Sequence, residues 1–397
     1  MFKRLFIIIL ISSLMLFIYS PFIAAQSIPD PQFDLKAKSA ILMEAKSGRI
    51  LFKKDSNEKL PPASITKIMT LLLTMEAIDE GRAKLDDMVS TSEHAASMGG
   101  SQIWLEPGEE LTLENMIKAI AIVSANDACV AVAEYLYGTD EAFVNAMNKK
   151  AKELDMKGTY FMNTNGLPPS DPEIQGNHTS ANDVALMSRE LINKYPRVLD
   201  YTGVWIDHLR DGDSFLRNTN NLVRFYKGAD GLKTGYTSEA GYCVSATAQR
   251  EGLRFVAVVM QEKNSKVRFN EAGKLLSYGF NLYRSIKVVK KGDLVIDRIE
   301  IYKAKNPMIQ AIAKEDLMAA VFRGNEDKLK RQVVIHSDLV APLKKGDKVG
   351  ELRVVASDKV IASVDLVANR DVEKGNILQI IIQLLKKFFM NIVNLFN

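Results

Sequence analysis

The sequence predicts a mixed α/β domain, then a small all-β domain, then a terminal amphipathic helix. Three observations carry that expectation. From residue 30 to Ser285, helical spacings interleave with strands of antiparallel character. From Ile286, short strands recur between Lys-Gly-Asp turns at 291–293 and 345–347. In the last stretch, 376–397, polar residues return every three or four positions in an otherwise apolar run.

At 397 residues, two or more domains are expected, and 47% apolar with 25% charged residues is ordinary globular composition. The formal charge of +4 comes without any basic run interleaved with aromatics, so nucleic acid is not an expected partner.

Lys3 and Arg4 precede an almost wholly apolar run from Leu5 to Tyr19, and Ala24 and Ala25 follow. That order reads as a secretory signal peptide over residues 1–25, with cleavage after Ala25, or alternatively as an uncleaved anchor helix. Either reading delivers the rest of the chain outside the cytoplasm. Cys129 and Cys243 alone cannot make a disulfide framework; both sit in apolar stretches and read as buried free thiols rather than one bridge. His94, His178, His208 and His336 lack metal-ligand spacing, so neither a metal nor another cofactor is expected.

Ser39 to Phe52 reads as strand, turn and strand about Lys46-Ser-Gly48, and a helix should run from Ser64 through Thr70, Leu73 and Ala77. Leu113, Met116, Ile117, Ile120 and Val123 give helical spacing within Thr112–Tyr137, whereas Asn163–Asn177 has loop composition. Lys233–Ala248 and Leu253–Met260 read as successive strands. In the second domain, 286–375, strands are expected at Val288-Val289, Leu294–Ile301, Gln332–Ile335, Lys348–Val355 and Lys359–Leu366. The tail places Gln379, Gln383, Lys386, Lys387, Asn391 and Asn394 opposite a wide Ile/Leu/Phe face. Charge in mid-run argues against a spanning helix and for one lying in the membrane interface.

Ser64-Ile-Thr-Lys67 sets a hydroxyl and an amine three residues apart, on one helical face. A serine needs a neighbouring base to attack, and a lysine can serve if burial or a nearby cation lowers its pKa. Alone, the pattern is weak, because a capping serine and a solvated lysine would look the same. Two further elements change the balance. Ser124-Ala-Asn126 interrupts a helical stretch and offers a hydroxyl for proton relay with a carboxamide for a substrate amide. Lys233-Thr-Gly235 heads a strand and offers a cation and hydroxyl for a carboxylate, with a glycine permitting close backbone approach. Lys233 is also the natural cation to depress the pKa of Lys67.

The ordered set S-x-x-K, S-x-N and K-T-G resembles that of penicillin-binding proteins and class A β-lactamases. With Pro62-Ala-Ser-Ile-Thr-Lys-Ile-Met69, Ser124-Ala-Asn-Asp127, Asp230-Gly-Leu-Lys-Thr-Gly235, Ala240-Gly-Tyr242 and Arg268-Phe-Asn270, essentially the whole chain resembles the low-molecular-mass D-alanyl-D-alanine carboxypeptidases. The resemblance implies a penicillin-binding, β-lactamase-like transpeptidase domain at 30–285, an antiparallel sheet with flanking helices. It also implies a β-rich domain and a tail that holds the outer face of the cytoplasmic membrane. The implied partners are peptidoglycan stem peptides ending in D-Ala-D-Ala, with β-lactams as covalent inhibitors.

Carried onto this sequence, Ser64 would be the nucleophile, Lys67 its base and Ser124 the proton relay. Asn126 would position the peptide, and Lys233, Thr234 and Arg268 would bind the carboxylate. Gly235 admits the substrate backbone, and the N–H groups of Ser64 and Tyr236 would bind the oxyanion. The chain departs from the common pattern at Ala125, where glycine is usual, and at Tyr236, where histidine is frequent. Rival readings are a DD-endopeptidase, a class A-like β-lactamase using Glu173, and a β-lactam sensor or wall-binding module that acylates without turning over.

Overall fold

The computed structural model describes residues 33–383, apart from 172, 327, 328 and 357. The expected signal peptide at 1–25 and the tail beyond 383 lie outside the described residues.

Five strands form the central antiparallel sheet, in the order β2 (Ile50–Lys54), β1 (Ser39–Glu44), β9 (Leu253–Glu262), β8 (Gly241–Arg250) and β7 (Ala229–Thr237). β8 and β9 pair with Val244 opposite Val259 and Ala246 opposite Ala257, and both strands are buried almost end to end. Their sequences are accordingly continuous apolar runs rather than alternating ones, as expected of strands covered on both faces. One face is covered by α6 (Ser265–Leu282), where Gly279 lets the helix lie close on the Phe255 ring. On the other lie α1 (Lys67–Asp79) and α5 (Ala181–Lys194), whose apolar sides join one core with Ile41, Val256 and Val258.

Smaller elements surround the site. α2 (Leu113–Lys118) leads through a π-helical turn, Ala119–Val123, to α3 (Asn126–Tyr137), against which α4 (Asp140–Glu153) packs. Two short hairpins, β3 (Met88–Ser90) with β4 (Glu110–Thr112) and β5 (Ile206–Leu209) with β6 (Ser214–Arg217), complete this half.

The second half is all β. β11 (Leu294–Glu300), β12 (Met308–Ala313), β16 (Lys359–Ala368), β15 (Lys348–Ala356) and β14 (Lys330–Ile335) form a sheet in that order, while β10 (Tyr283–Val289) pairs with β13 (Leu317–Phe322). Their inner residues, Ile301, Ile309, Leu317, Val349 and Leu366 among them, build a separate core.

Three details differ from the sequence expectation. Lys233–Ala248 is not one strand but parts of two, because the chain reverses at Ser238–Ala240 and Gly241 takes the left-handed conformation (φ 61°) that closes the turn. β12 and β13 were not expected. The π-helical turn at Ala119–Val123 was not expected either, although the break it ends in at Ser124, itself left-handed (φ 67°), was.

A helix begins at 377 and is described to 383. Asn376 and Gln379 cap it reciprocally: Asn376 Oδ1 accepts from Gln379 N at 2.9 Å, and Gln379 Oε1 from Asn376 N at 3.0 Å. Ile377, Leu378, Ile381 and Ile382 project from it exposed. Among the described residues, no helix is long and apolar enough to cross a membrane.

Candidate active site

The nucleophile candidate sits on a single 3₁₀ turn, Ala63–Thr66, that feeds directly into α1. Ala63 is held at φ 47°, a conformation costly for a residue with a side chain and common at functional sites. Two close backbone approaches hold it there. A Cβ on Gly166 would stand 1.9 Å from the Ala63 carbonyl oxygen, and one on Gly235 would stand 2.8 Å from Pro62 O and 3.1 Å from Ser64 N. Only glycines let the 163–177 loop and β7 press on the nucleophile's turn from two directions.

Lys67, fully buried, makes three contacts through Nζ: Ser64 Oγ at 2.8 Å, Asn126 Oδ1 at 2.6 Å and the Asn165 carbonyl at 2.9 Å. Burial lowers it from the ordinary lysine range to about 8, although Cys129 and Asp127 pull the other way. The chemistry follows from counting hydrogens. A neutral amine has two hydrogens and one lone pair. The carboxamide and carbonyl oxygens are pure acceptors and take both hydrogens, leaving the lone pair for the Ser64 hydroxyl.

Asn126 is oriented from its other end, Nδ2 donating to Gly99 O at 2.7 Å, and its own N–H donates to Ser101 O. Its neighbour Asp127 is buried and accepts from the N–H groups of Ile103 and Leu105, fixing the 99–105 loop. Ser124 lies at the end of the π-helical turn with its Oγ buried and without a hydrogen-bond partner among the described residues, an orphan hydroxyl that a substrate or water can satisfy.

Lys233 is also buried, with Nζ donating to Thr234 O at 3.1 Å. It is depressed well below the ordinary lysine range by burial first, then by the charge of Lys67. The sequence offered burial or this second cation to depress Lys67; burial is the leading cause for both lysines. Cys129, buried nearby, is pushed up to about 12 and stays a thiol. Cys243 is likewise buried and free.

β7 is the edge strand of the sheet, bonded only to β8, so its other edge faces the nucleophile's turn. Tyr236 stands exposed and stacks on Tyr242, ring centroids 4.3 Å apart. Arg268 is tucked under this strand, Nη1 donating to the carbonyls of Gly235 and Cys243 at 3.0 Å each. Burial lowers it to about 10, so it remains a cation at neutral pH. These two bonds brace the backbone of β7 and β8, a supporting job that the sequence did not reveal.

Eight of the nine candidate residues therefore converge on one end of α1 and β7, and the ninth, Arg268, lies behind the strand. Sequence reasoning missed several neighbours. Asn165 contributes through its main chain, which no side-chain pattern reveals. Asn163 and Asn177 hold its loop: Asn177 Oδ1 accepts from Met162 N and Asn163 N, and its Nδ2 donates to Thr66 Oγ1. Thr219 meets Thr234, Oγ1 to Oγ1, at 2.7 Å. A groove of about 400 Å³ opens between Pro61–Ala63, Gly166–Pro169 and Thr237. Glu173, which a β-lactamase-like mechanism would need, is exposed, and among the described residues no carboxylate is bonded to Lys67.

Residues 24–264 match the family model of the peptidase S11 D-alanyl-D-alanine carboxypeptidases, and 283–374 match the C-terminal domain of penicillin-binding protein 5. The carboxypeptidase DacF of Bacillus subtilis is 43% identical over 344 residues, covering 86% of this chain and 87% of its own. The peptidoglycan synthesis regulatory factor PBP3 of Streptococcus pneumoniae superposes with a TM-score of 0.74 at 30% identity, over 86% of this chain and all of that one. Penicillin-binding protein D2 of Listeria monocytogenes in its cefotaxime-bound form superposes at 0.58 and 31% identity, over 63% of this chain and 99% of that one. A buried lysine poised on a serine hydroxyl, within a chain so matched, places this protein in the peptidase S11 family as a serine-type D-alanyl-D-alanine carboxypeptidase.

Proposed function

We propose that Ser64 carries the acyl group, that Lys67 activates it, and that the enzyme works while held to the outer face of the cytoplasmic membrane by its C-terminal helix. The observation that carries the first part is the three-way bonding of Lys67 Nζ, which leaves only the Ser64 hydroxyl for its lone pair.

The substrate is a stem peptide ending in D-Ala-D-Ala, extended along the free edge of β7 as an added strand. Its terminal carboxylate docks beside Lys233 and Thr234, restoring the charge balance of a site that holds two buried lysines. Ser64 Oγ attacks the carbonyl carbon of the penultimate D-Ala while its proton passes to Lys67. The oxyanion takes hydrogen bonds from the N–H groups of Ser64 and Tyr236. Collapse breaks the C–N bond, and Ser124 delivers its proton to the departing amine of D-Ala and takes one from Lys67, which is then neutral again. Water then enters, gives up a proton to the same lysine and releases the shortened peptide. A β-lactam undergoes the first half of this sequence: Ser64 opens its ring amide, and the leaving nitrogen stays tethered to the acyl group. Arg268 acts by holding β7 in place and by lending positive charge to its surroundings.

Digestion of the penicillin-treated protein should show the penicilloyl mass on the peptide that contains Ser64. An adduct on Ser124 or any other residue would reassign the nucleophile.

The exposed Ile377, Leu378, Ile381 and Ile382, on a capped helix, support the membrane reading. Deletion of 376–397 should move the exported protein from the membrane to the soluble fraction with D-alanine release from a soluble peptide unchanged. Retention of the truncated protein on the membrane would transfer the anchor to the N-terminal segment.

A further inference from the structure

Thr234 and Thr219 form a hydroxyl pair at the mouth of a second cavity, of about 540 Å³, lined by Trp205, Arg217, Thr219, Phe225 and Arg268 among others. The two threonines differ in access. Thr234 is 5% exposed, whereas Thr219 is exposed and faces the cavity. They also differ in hydrogen-bonding state. Thr234 donates its hydroxyl hydrogen to Thr219 Oγ1, so it has none left for a ligand, while the hydrogen of Thr219 has no acceptor among the described residues.

Thr219 is held in place from three sides. Its N–H donates to Ile122 O in the π-helical turn that carries Ser124. Its neighbours Asn218 and Asn220 are buried; Asn218 Nδ2 donates to Thr202 O and Val204 O, and Asn220 Nδ2 donates to Gly231 O on β7. The residue thus ties the serine of the middle motif to the strand of the third. Arg217, two residues earlier at the end of β6, lines the same cavity with no ion pair among the described residues, so with Arg268 the cavity lining is positively charged and free of carboxylates.

We propose that Thr219 is a substrate-binding residue whose hydroxyl donates to the C-terminal carboxylate, with Thr234 behind it as the second link of the chain. A hydroxyl that already accepts a hydrogen bond is the better donor, which is the advantage of the pair over a single threonine. This rests on the reading that the carboxylate docks beside Lys233 and Thr234.

The test compares acylation by benzylpenicillin, whose carboxylate corresponds to that of the peptide, with acylation by its methyl ester. The ratio of the two second-order rate constants is measured by mass spectrometry for the wild-type protein, Thr219→Val, Thr219→Ser and Thr234→Val. Because each ratio is internal to one protein, partial loss of folded material does not alter it. Thr219→Val should lower the acid-to-ester ratio about tenfold or more, the scale of a hydrogen bond to a charged group, and Thr219→Ser should restore it. An unchanged ratio in Thr219→Val, with a fall in Thr234→Val, would overturn the role of Thr219 and leave the docking of the carboxylate intact. A wild-type protein that acylates equally fast with both compounds would overturn the docking itself.

Discussion

Replacing Ser64 by alanine should abolish covalent penicillin labelling and lower the rate of D-alanine release by at least about 10⁴-fold, the scale seen when a nucleophile is removed from an acyl-transfer site. No other hydroxyl is placed to substitute for it. Ser124 is the nearest in role, yet its Oγ has no partner among the described residues and the lysine that could activate it is already engaged by three groups. The fold should survive the change, since among the described residues Ser64 donates no side-chain bond to the core, and its turn is fixed by Gly166 and Gly235. Thermal unfolding of the variant within a few degrees of wild type, combined with lost labelling, is the expected pair of results. Labelling that persists would mean a different nucleophile.

Acylation should rise about tenfold per pH unit below pH 8 and level off above it, and Lys67→Arg should lower it about 10²–10⁴-fold while removing that inflection. The sign follows from the base being the neutral amine. With the amine at about 8, roughly a tenth of the molecules hold it neutral at pH 7, against well under a thousandth for an ordinary lysine. Burial supplies that gain of a few hundredfold in active form. A guanidinium stays protonated across the range and cannot accept the proton. Stopped-flow acylation by penicillin from pH 6 to 10 reads the inflection directly; a flat profile in the wild-type protein would remove Lys67 from the role of base.

What was legible in the sequence was side-chain chemistry. Ser64, Lys67, Ser124, Asn126, Lys233 and Thr234 each carry a functional group and recur in a fixed order, so their convergence could be expected before any geometry was known. What was illegible was work done by the main chain or by shape. The Asn165 carbonyl on Lys67 would be present whatever residue stood there. The π-helical turn before Ser124 is spelled Ala-Ile-Ala-Ile-Val, indistinguishable from ordinary helix. β12 and β13, Met-Ile-Gln-Ala-Ile-Ala and Leu-Met-Ala-Ala-Val-Phe, lack the β-branched runs and polar alternation that mark a strand. They become strands because tertiary pairing with β16 and β10 decides the matter. Arg268 shows the converse: its charge was legible, but its service to the carbonyls of β7 and β8 was not.

The contact between Lys67 and the Asn165 carbonyl also determines where the protein is vulnerable to genetic change. Position 165 supplies the base with an atom that every amino acid possesses, so the base's ligand cannot be mutated away at its own codon. The weakness is displaced onto the residues that keep this loop in register: Asn163, whose Oδ1 accepts from Gly166 N; Asn177, which ties the loop to Thr66; and Gly166, which has no room for even a methyl group. Loss-of-function alleles in this part of the gene should therefore cluster at scaffolding asparagines and a glycine that supply no group to the chemistry.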